Sequence, residues 1–237
     1  MKKILEEKGE QFRLLSKIGD LWGWRLVPDD LSEEEKACIF KYSYRVGMDA
    51  FSQKHSSEME RDVYEHLFQE NQLSIVVGKN DHCDELSVMA FLTSRDIDFN
   101  DKKILYISGV CVDPLRQGYS ISQKLIEEAY KRGGYYNIMA LRTQNPVMKE
   151  CFDKCVGGKS YPNNGTKLPN EIEEVGLFIA KLLKANKYHA QSLIIKGAYG
   201  KYLYGEELFS RNEEYNTQFN QLDKSAGDSM LCIKMLT

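Results

Sequence analysis

Two hydrophobic periods alternate along this chain and set out most of its elements. Residues 22–27, WGWRLV, alternate in the manner of a strand. Ser32 stands three residues before Glu35 and opens an apolar run through Phe40, Tyr44 and Met48. Ser57 stands in the same relation to Glu60 ahead of Val63, Leu67 and Phe68. Both pairs have the spacing of a capping box, in which a hydroxyl and a carboxylate satisfy the orphan N–H groups of a helix start, so two helices are predicted. Residues 73–77 and 86–92 then read as strands joined by the polar turn 78–85, a hairpin. Residues 104–112 are nearly unbroken apolar, which predicts a strand buried on both faces and halted at Pro114.

The second half continues with helix and strand in turn. From Ser122 a helix places Leu125, Ile126 and Ala129 on one face and stops at Gly133-Gly134, where a left-handed residue can end it. Residues 136–141 form a short strand. Asn145-Pro146 starts a helix that ends by Gly157-Gly158, since asparagine can cap and proline loses nothing at the first helical position. After a loop rich in glycine, proline and asparagine, Asn170 with Glu173 opens a helix carrying Val175, Phe178, Ile179, Leu182 and Leu183. Residues 192–196 and 230–236 have strand character, and the stretch 197–204, which alternates glycine and tyrosine, is less regular, a twisted strand with its tyrosines in the core being its plain structural reading. The order predicts an α/β (α+β mixed sheet) fold, a single mixed sheet flanked by helices. No internal repeat or long linker divides residues 1–237. We read 1–20 as a helical extension, 21–158 as the core and 159–237 as an extended C-terminal segment of helix and strands.

Composition narrows the function. Of 237 residues, 42% are hydrophobic and 11% aromatic, enough apolar mass for a sizeable core, and the net charge of −3 offers no basic excess for nucleic acid. The six cysteines are scattered without paired short spacings, so free thiols in a reducing compartment are expected and no metal site. Cys151 and Cys155 share a helical face but lack a second ligand pair, and His82-Cys83 is equally weak as a metal signal. No signal-peptide run or membrane-length apolar segment is present, which predicts a cytoplasmic protein with no membrane partner.

The loop after Val112 carries the chemistry. A strand feeding a tight loop that feeds a helix aims backbone N–H groups and the positive helix end at one place, which suits a phosphate or pyrophosphate. Small residues at alternate positions, Gly118, Ser120 and Ser122, leave that backbone accessible. Position by position, Val112-x-Pro114-x-x-Gln117-x-x-Ser120-x-Ser122 resembles the acyl-CoA-binding motif of the GNAT superfamily of N-acyltransferases, V-x-P-x-x-[QR]-x-x-G-x-[GA]. Both motif glycines are serine here. The resemblance runs from about Trp22 to Gly158. It includes Thr143-Gln144-Asn145-Pro146 as the next strand and helix, with the final strand supplied by 229–236 and an unusually long segment between.

The resemblance implies a GNAT-like domain that moves an acetyl or other short acyl group from acyl-CoA directly to a primary amine. It implies that Val110, Cys111 and Val112 offer main-chain groups to the pantetheine arm, with an amide near Val110 or Cys111 stabilising the thioester oxyanion. Gln117, Gly118, Tyr119, Ser120, Ile121, Ser122 and Asn145 complete the expected acyl-CoA contacts, and acetyl-CoA is the expected donor. The amine needs a base and the departing thiolate a proton donor. The glutamate common on the family's strand is absent from residues 106–111, leaving Asp96 and Asp98 as candidates while Asp113 sits beside the loop. Phe152 stands where the family's acid tyrosine is expected, so Tyr199, Tyr202 and Tyr204 are the candidate acids. Three readings follow: an active N-acyltransferase, a non-catalytic acyl-CoA sensor, and an α/β protein binding another phosphorylated ligand. The amine acceptor is unspecified, and a homodimer is compatible with the sequence.

Overall fold

The computed structural model describes residues 1–237 apart from 17, 18, 52–55, 81, 82, 164 and 237. In chain order the elements are α1 (Lys2–Lys8), β1 (Glu10–Ser16), β2 (Gly19–Leu26), α2 (Glu33–Ala50), α3 (Ser57–Phe68), β3 (Gln72–Asn80), β4 (Cys83–Phe99), β5 (Lys102–Val112) and α4 (Ile121–Arg132). They continue with β6 (Ile138–Thr143), α5 (Pro146–Lys154), β7 (Lys159–Tyr161), α6 (Asn170–Leu182), β8 (Tyr188–His189), β9 (Ile194–Ile195), α7 (Glu213–Phe219) and β10 (Ser229–Met235). The strands form one mixed sheet in the order β1-β2-β3-β4-β5-β6-β10-β9-β8, with β7 added to β10. This is the α/β class predicted, a mixed sheet flanked by helices.

By its contacts the chain divides into two units, Met1–Asp96 with Ile107–Gly134, and Ile97–Tyr106 with Tyr135–Thr237. In the first, β1 to β4 form an antiparallel meander: Leu14 pairs with Leu21, Trp24 with Ile75 and Ile75 with Phe91. Helices α2 and α3 bury Ile39, Val46, Val63 and Leu67 against Leu26, Leu73, Ile75 and Phe91. The register of β3 on β4 shifts between Val76 and Val77, whose partners are Ala90 and Val88, leaving Met89 as an extra residue on β4. The Met89 carbonyl accepts from the Asp113 N–H at 2.8 Å, which pins the end of β5 beside that bulge. Arg25 on β2 reaches Glu128 of α4 at 3.3 Å, holding the outer side of that helix.

In the second unit β10 runs antiparallel to β6, with Ile233 opposite Ala140 and Lys234 opposite Met139. Successive side chains leave opposite sides of a strand. One side carries Ile138, Ala140, Leu231 and Ile233, packed with Ile172, Val175 and Ile179 of α6. On the other lies Lys234, fully buried, whose Nζ donates to the carbonyl oxygens of Phe152, Asp153, Cys155 and Val156 at 2.5 to 3.1 Å. A lysine thus satisfies the last carbonyls of α5, a role for which glycine is the usual solution.

Several sequence expectations are corrected. Among the described residues of the extension 1–20 only Lys2–Lys8 is helical, and Glu10–Ser16 is a strand paired with β2. The cap of α3 is Ser56, which accepts from Met59 N at 3.2 Å, so the predicted cap Ser57 is the first helical residue. At α6 the cap position is Pro169, and Asn170 is already helical. The predicted turn 78–85 is shorter, since β3 extends to Asn80 and β4 starts at Cys83, while Asp81 and His82 lie outside the described residues. Residues 192–196 give only the two-residue β9, and 197–204 are bends and turns with Gly197 and Gly200 at positive φ rather than a twisted strand. The capping box of Ser32 and Glu35 and the Asn145 cap form as expected, and Gly134 at φ +78° provides the left-handed stop after α4.

Candidate functional site

The turn from β5 to α4 is built by local hydrogen bonds that the sequence supplies. Asp113 accepts from Leu115 N at 2.9 Å through Oδ1 and caps a single 3-10 turn, Pro114–Arg116, whose first position suits proline. The Gln117 side chain reaches back to donate from Nε2 to the Val112 carbonyl at 3.3 Å, bracing the loop against the strand it left. Gly118 follows at φ +79° and Ser120 at φ +65°, ψ +16°, both left-handed. A Cβ built on Gly118 meets nothing within 4 Å, so backbone conformation rather than lack of room favours glycine, and the space beside it is open.

Ser120 is the N-cap residue of α4, yet its side chain makes no capping bond. The first turn of α4 also holds no acidic residue. The helix start therefore presents its orphan amides without a carboxylate of its own in the way, an arrangement that fits an anion. Ile121 is buried and anchors the helix, Ser122 is partly buried, and Tyr119 and Leu115 are exposed on the loop. On β5, Val112 and Cys111 are buried and Val110 half-buried. Burial pushes the Cys111 thiol up to about 12, so it remains protonated and offers no nucleophile at neutral pH. All these residues belong to the first unit, as does Asp96, whose carboxylate lies 3.4 Å from Arg132 on α4.

The second unit holds Asp98, Asn145 and the three tyrosines. Asp98 is exposed near the end of β4. Asn145 accepts from Val147 N at 2.8 Å and Met148 N at 3.4 Å, so its carbonyl oxygen is engaged at the start of α5. Tyr199 donates to the Arg142 carbonyl at 3.2 Å, and its ring lies under the Arg142 guanidinium. Tyr202 accepts from Leu208 N at 3.3 Å, which leaves its own proton available, and its ring meets that of Tyr204 edge-on at 5.6 Å. Phe152 is fully buried, with the Lys234 ammonium 5.3 Å from its ring centre.

Sequence reasoning missed three organising residues. Gln144, buried, donates to the carbonyls of Lys201 and Asp228 and accepts from Leu203 N, so it fixes the glycine-tyrosine segment onto the end of β6. Arg142 and Lys234 stand at inward positions of β6 and β10. The signal was available: a charged residue in phase with the buried apolar positions of a strand needs a partner.

Among the described residues no cluster of three or more His, Cys, Asp and Glu could hold a metal ion, and no helix is long and apolar enough to cross a membrane. No family model and no curated protein matches the sequence. Among solved structures, the chain is similar to the NatC complex bound to Gag peptide and CoA, at 15% identity over 91% of this chain and 99% of that one, with a TM-score of 0.40. It is similar also to the NatB acetyltransferase complex bound to a bisubstrate inhibitor, at 11% identity over 85% and 87% with a TM-score of 0.44. A mosquito arylalkylamine N-acetyltransferase, like 5b, matches at 12% identity over 90% and 100% with a TM-score of 0.43.

Proposed function

We propose that the chain is an N-acyltransferase that moves an acetyl or other short acyl group from acyl-CoA to a primary amine by direct attack. The observation that carries this reading is the β5 to α4 turn, where the motif residues Val112, Pro114 and Gln117 lead into left-handed Gly118 and Ser120 at an unblocked helix start. Main-chain groups of Val110 to Val112 would hold the pantetheine arm, and the amides of Gly118 to Ser122 the pyrophosphate. Bond changes are simple: the amine nitrogen forms a bond to the thioester carbon, the carbon–sulfur bond breaks, and one amine proton leaves to a base while the thiolate takes a proton. Oxyanion stabilisation falls to an amide near Val110 or Cys111.

Asp96 and Asp98 are the proposed bases and Tyr199, Tyr202 and Tyr204 the proposed acids. Tyr202 is the best furnished, since its hydroxyl accepts a backbone N–H and keeps its proton to give. Calorimetry of the full chain with acetyl-CoA, followed by transfer to a panel of primary amines, tests the reading. Absence of binding at millimolar acetyl-CoA overturns it. A second reading, a non-catalytic acyl-CoA binder, is favoured by Phe152, which stands fully buried where a tyrosine is expected. Binding without turnover on any amine selects that reading.

A further inference from the structure

β5 is buried at residues 104–107 and again at Cys111 and Val112, but between them Ser108, Gly109 and Val110 are half-buried. Gly109 comes one residue before the backbone assigned to the thioester, and it has no side chain to fill the space beside it. A Cβ there would stand 3.2 Å from Thr93 Oγ1 of β4 and 3.9 Å from Cδ2 of His66, in the last turn of α3. One edge of the imidazole therefore faces bare strand backbone. His66 is itself exposed, so water reaches the ring. All these residues belong to the first unit, as does the β5 to α4 turn.

Hydrogen bonding fixes what the two ring nitrogens can do. Nδ1 lies 2.8 Å from the Asp62 carbonyl oxygen, one turn back on α3. A carbonyl only accepts, so Nδ1 carries a hydrogen, and in the neutral ring the lone pair is then on Nε2. Nε2 is bonded to Cδ2, the atom that faces Gly109, and among the described residues it makes no hydrogen bond. The charges around the ring are few. Asp62 and Glu70 stand one turn to either side on α3, and Arg95 of β4 holds Glu70 through Nε at 2.9 Å. From β5 the ring faces Gly109, and the next side chain on that face, Cys111, is a buried neutral thiol. The two aspartates that the sequence offers as bases are less favourably set: Asp96 already pairs with Arg132, and Asp98 belongs to the second unit.

We propose that His66 is the general base of the acyl transfer, taking through Nε2 the proton of the amine that attacks beside Gly109. The inference rests on the acyl-transfer reading and names a group of that same site. As the amine nitrogen bonds to the thioester carbon, its proton passes to Nε2, the carbon–sulfur bond breaks, and the departing thiolate takes a proton from the acid or from water. The imidazolium then gives its proton to solvent, which its exposure permits. The last turn of a helix favours a positive charge, which suits a group that must gain one. Glycine at 109 keeps open the gap between ring and strand. The carboxylate missing from residues 106–111 is thus replaced from a neighbouring helix.

The test compares wild type, His66→Gln and His66→Ala as full chains, by thiol release from acetyl-CoA with a panel of primary amines and by calorimetry with acetyl-CoA alone. His66→Gln should lose about 100-fold in kcat at pH 7. Its acetyl-CoA affinity and melting temperature should stay at the wild-type values, because the side chain is exposed and outside the loop 117–122. The amine's own titration is common to all three proteins. The further fall in rate below about pH 7 that an imidazole base produces should be missing from His66→Gln. Added imidazole should restore part of the activity of His66→Ala, a rescue that a purely structural role would not give. A His66→Gln protein within a few-fold of wild type, or one with the wild-type pH profile, overturns the proposal and leaves the acyl-transfer reading standing. A large loss in Asp96→Asn or Asp98→Asn with His66→Gln unaffected does the same. A wild type that binds acetyl-CoA yet acylates no amine overturns the proposal together with the catalytic reading, and one that binds no acetyl-CoA overturns the site itself.

Discussion

The Arg142 guanidinium lies 4.5 Å from the centre of the Tyr199 ring, and the Tyr199 hydroxyl donates to the carbonyl oxygen of that same arginine at 3.2 Å. The pair closes the end of β6 and gives Tyr199 structural work whether or not it also takes part in chemistry. Tyr199→Phe should therefore lower stability by about 1 kcal/mol, the net worth of one hydrogen bond, while the stacking survives. A melting temperature equal to wild type would mean that this bond contributes nothing.

The proposed acids are separated by turnover. Loss of a general acid typically costs about 100-fold or more, so the tyrosine that protonates the thiolate should show that loss in kcat on conversion to phenylalanine, with CoA affinity retained. Tyr202→Phe is the variant expected to show it. If Tyr199→Phe, Tyr202→Phe and Tyr204→Phe all stay within a few-fold of wild type, the thiolate leaves unassisted, which a thiol pKa of about 8.5 permits.

Left-handed Ser120 makes a prediction of opposite sign for stability and binding. Ser120→Gly removes the strain of a Cβ at positive φ and should stabilise by up to about 1 kcal/mol with acetyl-CoA affinity kept. Ser120→Val and Gly118→Val place a β-branched side chain at φ +65° and +79°, and should weaken acetyl-CoA binding while the chain stays folded. Calorimetry alongside circular dichroism checks both halves; unchanged affinity in Ser120→Val would put the pyrophosphate elsewhere.

Lys234 offers the largest stability effect. Lys234→Met keeps the stem but leaves the carbonyls of Phe152, Asp153, Cys155 and Val156 without their shared donor, and should cost about 3 kcal/mol or more in urea denaturation. Phe152→Tyr acts on the same spot. Because the ring is fully buried, its added hydroxyl should lower the melting temperature rather than restore an acid, at a cost of about 1 to 3 kcal/mol. A Phe152→Tyr protein as stable as wild type and faster in acyl transfer would reverse that view.

Burial raises the thiols of Cys111 and Cys232 to about 12, above the ordinary value of 9.0. A raised pKa means that the neutral form is favoured on folding, so this contribution is complete below about pH 9 and is lost as pH climbs toward 12. At pH 8 iodoacetamide should spare Cys111 and Cys232 in the native chain and modify both in urea, whereas half-buried Cys38 and Cys151 should react first. Rapid native labelling of Cys111 would contradict its burial in β5.

Local chemistry made much of this molecule readable in advance. The capping box at Ser32, the Asn145-Pro146 start and the Gly133-Gly134 stop depend on bonds made within a few residues, so sequence alone determined them. The same holds for the turn after Val112: Pro114, Gln117 and Gly118 act on their immediate neighbours, and the left-handed Ser120 follows from the position it holds in the motif. Residues 192–204 could not be read this way, because their conformation is imposed from afar. Gln144, 57 residues before Lys201, and Asp228, 31 residues after Gly197, supply the hydrogen bonds that hold that segment out of a regular strand. Lys234 likewise looks like a misplaced charge until β10 lies beside β6 and brings its ammonium to the end of α5. His66 comes to face Gly109 only where α3 approaches β5, elements between which β3 and β4 intervene in the chain. Bonds within a turn are encoded by adjacent residues, whereas the pairing of buried charges and orphan acceptors depends on which distant elements the folded core brings into contact.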